Sequence, residues 1–116
     1  MAPFLLVVTT VADRDEASRL ARTLVERGLA ACAQISAIDS IYAWQGKVEH
    51  DAEFRVLFKV ATAAYEAAEQ AIRELHSYEL PAIHAIPVER AWAPYRAWVE
   101  ANSRPAGAGR AGRAAD

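Results

Sequence analysis

Val48-Glu49-His50-Asp51-Ala52-Glu53-Phe54-Arg55-Val56-Leu57-Phe58-Lys59-Val60 decides the fold class. Val48, His50, Ala52, Phe54, Val56, Phe58 and Val60 share one parity; Glu49, Asp51, Glu53, Arg55, Leu57 and Lys59 share the other. A repeat of two over about a dozen residues is a β-strand with one apolar and one charged face, roughly twice the usual strand length. Immediately upstream, Trp44-Gln45-Gly46-Lys47 reads as a tight turn, with Gly46 supplying a positive φ. The turn leads back into a second extended segment, residues 30–42. There Ala33, Ile35 and Ala37 hold one parity, and Ile38, Ser40 and Tyr42 take up the other. That switch predicts a bulge or bend near Ala37.

On the N-terminal side, Phe4 to Val8 is a continuous apolar run ending in Thr9 and Thr10, the pattern of a strand buried on both faces. Asp13 and Glu16 form a variant capping box ahead of Ala17, Leu20, Ala21 and Leu24 at helical spacing, and Gly28 suits the C-terminal cap. A helix is expected over 14–27. On the other side, Thr62 is expected to cap a second helix carrying Tyr65, Ala68, Ile72 and Leu75 on one face. His76-Ser77-Tyr78-Glu79-Leu80-Pro81 breaks that helix. Ala82 to Val88 reads as a short edge strand, and Pro94 opens a last helix with Tyr95, Trp98 and Val99. The order strand, helix, strand, strand, helix, strand, helix is that of an α+β, ferredoxin-like βαββαβ sandwich with a four-stranded antiparallel sheet and a C-terminal helix. One layer of helices cannot cover both sheet faces, and a long hairpin around Trp44 is marginal alone in water. Both features predict a partner subunit. Residues 1–103 are expected to form the domain, and residues 104–116, rich in Pro, Gly, Ala and Arg, a disordered tail.

Composition narrows the function classes. The chain has 116 residues, 53% apolar and 24% charged, which fits one folded domain. Its net charge of -2 argues against a nucleic-acid binder. No apolar run approaches the length of a membrane span. The start Met1-Ala2-Pro3-Phe4 has no signal-peptide pattern, and Cys32 is the one cysteine, so a reducing cytoplasmic location is expected. Cys32 in its Ala-rich strand reads as a small buried hydrophobe, and His50, on the apolar parity, as a hydrogen-bonded structural histidine.

Several segments together resemble the CutA family, named for divalent-cation tolerance. They are Leu29-Ala30-Ala31-Cys32, Ile41-Tyr42-Ala43-Trp44-Gln45-Gly46-Lys47, Lys59, and His76-Ser77-Tyr78-Glu79-Leu80-Pro81, flanked by Thr9-Thr10 and by Tyr95 to Trp98. The resemblance spans roughly residues 4–102. It implies a ferredoxin-like fold, a homotrimer similar to the PII signalling proteins, and weak binding of divalent metal, copper in particular, with a regulatory or chaperone-like role. Ser77 stands where the family commonly has Pro, and Ala82 where it has an acidic residue. Some bacterial members carry a cysteine near Thr9 and a second histidine near Leu75, both suggested copper ligands; here His76 alone matches that set.

From the residues themselves, no CxxC or HxxxH pair and no acidic calcium loop appears. The resemblance makes His76 the expected metal contact, and no cofactor is required. Glu49, Asp51 and Glu53, about 7 Å apart along one strand face, suit a weak hard-cation site or a solvated face paired with Arg55 and Lys59. Tyr42, Trp44, Glu53, Lys59, Tyr78 and Trp98, with His76, are expected to line an intersubunit cleft, Glu53 being the candidate partner for Lys59. Trp44 and Tyr42 lean towards interface packing. The alternative function is a PII-like trimer that senses a small anionic ligand neutralised by Lys59 and His76. No nucleophile elbow, phosphate-binding glycine loop or dinucleotide fingerprint occurs, so no enzyme is assigned.

Overall fold

The computed structural model describes residues 2–105. In chain order the elements are β1 (Leu5–Val11), α1 (Arg14–Glu26), β2 (Cys32–Trp44), β3 (Lys47–Val60), α2 (Tyr65–Leu75), β4 (Ile83–Pro87) and α3 (Ala93–Asn102). The strands form one sheet in the order β2-β3-β1-β4 with every neighbour antiparallel. The expected sandwich is therefore present, with the apolar run of β1 inside the sheet and Pro87 on the edge strand.

α1 starts and stops by local chemistry. Asp13 is extended and its carboxylate accepts from the Glu16 N–H at 2.8 Å. At the other end the Gly28 N–H donates to the Val25 carbonyl and the Leu29 N–H to the Leu24 carbonyl, both 3.0 Å, with Gly28 at φ 73°. This is a Schellman motif, and only a residue tolerant of positive φ closes it without strain. α2 starts differently from expectation. Its helical start follows a single 3-10 turn, Thr62–Ala64, and no side chain caps it. The Thr62 hydroxyl instead donates to the Ala2 carbonyl at 3.0 Å, tying down the N-terminal segment.

Leu5, Val7, Thr9 and Val11 of β1 share a face with Val56 and Phe58 of β3 and with Ala33 and Ile35 of β2. α1 and α2 cover that face with Leu20, Leu24, Ala68 and Ile72, forming the main core. α3 crosses to the opposite face and covers one corner of it, where Phe4, Ala31 and Val99 form a second small cluster beside Leu6, Val88 and Tyr95. The chain after α3 is latched. Ser103 is buried; its hydroxyl donates to the Leu29 carbonyl and accepts from the Ala61 N–H, both at 2.7 Å. Arg104, the first residue of the expected tail, donates its N–H to the Gly28 carbonyl at 2.8 Å, so the ordered chain extends past residue 103. Residues 106–116 of that expected tail lie outside the described residues.

β2 and β3 pair without interruption from Cys32↔Lys59 to Trp44↔Lys47. The bulge expected near Ala37 is absent. The parity switch has another cause: β1 ends at Val11, opposite Phe54, and the ribbon continues past it. Its seven residue pairs from Ile38↔Glu53 onward extend for about 23 Å beyond the end of β1, where the apolar parity of Val48, His50 and Ala52 has no core to face. Ile41 and Val48 are accordingly 71% and 78% exposed. His50, expected as a hydrogen-bonded structural histidine, is exposed, and its polar neighbour is an Asp39 carboxylate oxygen at 3.4 Å. Gln45 and Gly46 at the tip take φ 50° and 80°, the two positive values of a type I′ turn.

Candidate functional site

The segment after α2 lies against the end of β1 and the base of the ribbon, and each of its residues is held by a distant partner. His76 leaves the helix with extended geometry and a fully buried side chain. Its Nε2 is 2.8 Å from the Thr10 carbonyl oxygen, and its Nδ1 accepts from the Tyr78 N–H at 3.1 Å. A carbonyl only accepts, so Nε2 carries the proton and the ring is the neutral tautomer. Glu16 holds the next residue. Its two carboxylate oxygens accept from the Ser77 hydroxyl at 2.8 Å and the Ser77 N–H at 2.9 Å. Glu16 therefore does not close the capping box its spacing suggests; it joins the first turn of α1 to the loop after α2.

This double tether presents Tyr78. Its ring packs on His76 with centroids 4.9 Å apart, and its hydroxyl donates to Glu53 Oε2 at 2.6 Å. Burial, followed by the bond to Glu53, pushes the Tyr78 phenol well above its ordinary range. Across the ribbon, the Tyr42 hydroxyl donates to the Asp51 carboxylate, which pushes that phenol up to about 12. Between loop and ribbon lies a pocket of about 740 Å³, lined by Thr10, Asp39, Ser40, Ile41, Tyr42, Trp44, Glu53, Tyr78, Glu79, Leu80 and Ala82.

Of the residues expected in one cleft, a single chain thus brings together Tyr42, Trp44, Glu53 and Tyr78, with His76 buried behind them. Lys59 and Trp98 are elsewhere. Six positions of β3 separate Glu53 from Lys59, about 20 Å. Lys59 donates to the Tyr95 hydroxyl at 2.9 Å, a bond that raises its pKa against the opposing effect of burial. Trp98 stacks on the same tyrosine with centroids 5.7 Å apart. Glu53 is thus not the partner of Lys59 within one chain. Cys32 pairs with Lys59 across the strands and is half-buried, less enclosed than its sequence suggested.

The metal expectation meets a geometric obstacle. Both ring nitrogens of His76 are engaged and the side chain is sealed, so it offers no lone pair to a metal. Both Glu16 oxygens are used by Ser77. Among the described residues, no three His, Cys, Asp or Glu side chains are grouped to hold an ion. A tight metal site does not fit inside one chain. The anion-sensing alternative fares no better: the pocket lining contains no Lys, Arg or His but includes Asp39, Glu53 and Glu79.

Glu16, Ser77, Thr10 and Asp39 are not among the residues expected in the site. Glu16 already had a local explanation as a capping residue, and nothing in the sequence pairs it with Ser77, 61 positions away.

A family profile described as CutA1 divalent ion tolerance protein matches residues 5–102. The divalent-cation tolerance protein CutA of Archaeoglobus fulgidus is 34% identical over 94 residues, covering 81% of this chain and 92% of that one. A solved structure of the Archaeoglobus fulgidus protein, described there as periplasmic, superimposes with a TM-score of 0.85 over 87% of this chain and 99% of its own, at 32% identity. The CutA1 structure from Shewanella sp. SIB1 gives a TM-score of 0.84 at 40% identity, covering 88% and 96%. Mouse protein CutA is 38% identical over 91 residues, 78% of this chain, which spans only 51% of that longer protein.

Proposed function

Because the chain belongs to the CutA1 divalent ion tolerance family, we propose that it acts as a homotrimer binding divalent cations weakly, copper among them. The ions are taken as cargo through oxygen ligands, in a regulatory or chaperone-like rather than catalytic role. One observation carries this reading: the ribbon that runs past β1 bears exposed Ile41 and Val48 on one face, and Glu49, Asp51 and Glu53 together with exposed Tyr42 and Trp44 on the other. Exposed Ile41, Val48 and Trp44 need a protein surface to cover them. The carboxylates of one chain are too far apart to chelate an ion, so ligands from neighbouring copies, or water, complete any coordination. A non-catalytic role agrees with His76, whose buried ring has both nitrogens committed to backbone partners.

Two measurements test this. Light scattering at micromolar concentration should give three times the chain mass; a monomer would remove the assembly. Calorimetric titration of chelator-treated protein with copper should show weak binding that His76→Ala leaves unchanged and Asp51→Asn with Glu49→Gln diminishes. Loss of copper binding in His76→Ala, with the trimer intact, would restore the histidine as a ligand and remove the carboxylate reading.

A further inference from the structure

Charge is segregated along one face of β3. On the parity opposite Val56 and Phe58, Glu49, Asp51 and Glu53 occupy the half that projects past β1, and Arg55 and Lys59 the half inside the sheet, with Lys47 alone at the tip. Each set spans four positions, about 13 Å. Among the described residues, neither the three carboxylates nor the two cations have an ion-pair partner. Glu53 is buried and accepts from the Tyr78 hydroxyl; Lys59 is half-buried and donates to the Tyr95 hydroxyl. A charge held that deep beside a neutral group is costly until an opposite charge reaches it. About 20 Å of β3 separates the two residues, so neither can serve the other within one chain.

The aromatic residues match in the same way. Tyr42 and Trp44, both exposed, share the acidic face of the ribbon, opposite Glu49 and Lys47. On the sheet half, Tyr95 and exposed Trp98 stack beside Lys59. α3 covers one corner of that sheet face, and Arg55 and Ile86 lie open next to it. An acidic, aromatic ribbon and a basic, aromatic sheet face, each unfinished in one chain, are complementary. A contact that joins two different patches of identical chains runs head-to-tail and closes into a ring where the rotation allows. We infer that the acidic face of the ribbon docks on the open sheet face of a second copy, with Glu53 against Lys59 of the partner subunit. The neighbour then fills the space beside Glu53, while Glu49 and Asp51, further out, stay available to a cation. The inference rests on the assembly proposed above and adds which surfaces make it.

The test combines zero-length crosslinking with a double-mutant cycle on the full chain. A carbodiimide joins a carboxylate to an amine only where the two touch, so a Glu53–Lys59 link cannot form within one chain. Treated protein should run as covalent multimers on a denaturing gel, and mass spectrometry should find the Glu53–Lys59 peptide, absent from Glu53→Gln. Glu53→Gln, Lys59→Gln and the double variant are then followed by light scattering across dilution, at a urea concentration where the parent dissociates measurably. Glutamine still accepts from Tyr78 or donates to Tyr95, so each subunit keeps its fold. Each single substitution strands the opposite charge and should raise the dissociation concentration about tenfold or more, and the double variant should be no weaker than the weaker single. An assembly whose linked peptides join other residues, or in which the two substitutions simply add or change nothing, overturns the inference. It would leave the trimer standing and the basic face to an acidic partner other than this chain. A parent chain that is monomeric before any treatment removes the trimer reading and this inference with it.

Discussion

Thr9 lies on the helix-covered side of β1, fully buried, and its hydroxyl has no hydrogen-bond partner among the described residues. An unmet hydroxyl in an apolar core is a penalty that its isostere removes. Thr9→Val should therefore raise stability by about 1 kcal/mol, read as a higher urea midpoint at unchanged slope. Tyr78 makes the opposite kind of contribution. Tyrosines in the unfolded chain ionise near pH 10, while Tyr78 in the fold ionises later. Its raised pKa stabilises the fold fully below about pH 10, and that contribution is lost as pH climbs through the raised value. Tyr78→Phe should flatten the decline in thermal midpoint above about pH 10, leaving the part due to Tyr42, Tyr65 and Lys59, whose pKa values are also raised. An unchanged alkaline slope would mean that the phenol does not stay protonated in the fold. None of this is readable from neighbouring residues. The sequence puts Tyr78 and Glu53 in one expected cleft but offers Lys59 as the partner of Glu53, and nothing local pairs two residues 25 positions apart.

The strands and helices themselves follow the local pattern closely. The alternation of 48–60 became β3, the Asp13–Gly28 signals became the two ends of α1, and Pro94 sits in the first turn of α3. Two readings failed for a common reason: periodicity records which way a side chain points, not what lies in front of it. β1 is seven residues and β3 fourteen, so half of a perfectly alternating strand has no core to face. The same excess length carries the prediction for Trp44. In one chain it is 45% exposed, so Trp44→Ala should barely change folding of the subunit. Where the ribbon tip docks on a neighbour, the loss should be about 3–5 kcal/mol per subunit, seen as a thermal midpoint that becomes more dependent on protein concentration. A midpoint that stays put at every concentration would place Trp44 outside the interface. At the other end of the ribbon, Ser103→Ala removes both a donor and an acceptor from the latch. It should cost about 2 kcal/mol in chemical unfolding.

As a body the chain measures 48 × 29 × 21 Å, with the ribbon tip at one pole. The opposite pole is where the described chain both begins and finishes. Ala2 is pinned to Thr62 and Ser103 to Ala61, adjacent residues just past the end of β3. Residues 2 and 103 therefore lie near each other, about one β3 length, some 45 Å, from Gly46. That arrangement has a practical meaning for anyone tethering or rewiring the molecule. A short peptide joining these two positions would close the chain into a ring without stretching it, so new ends could be cut in an exposed connection elsewhere. A dye or surface linkage at this pole would leave the ribbon tip and its pocket free. The same pole would report poorly on anything that docks there, so sensors of docking belong at the hairpin turn.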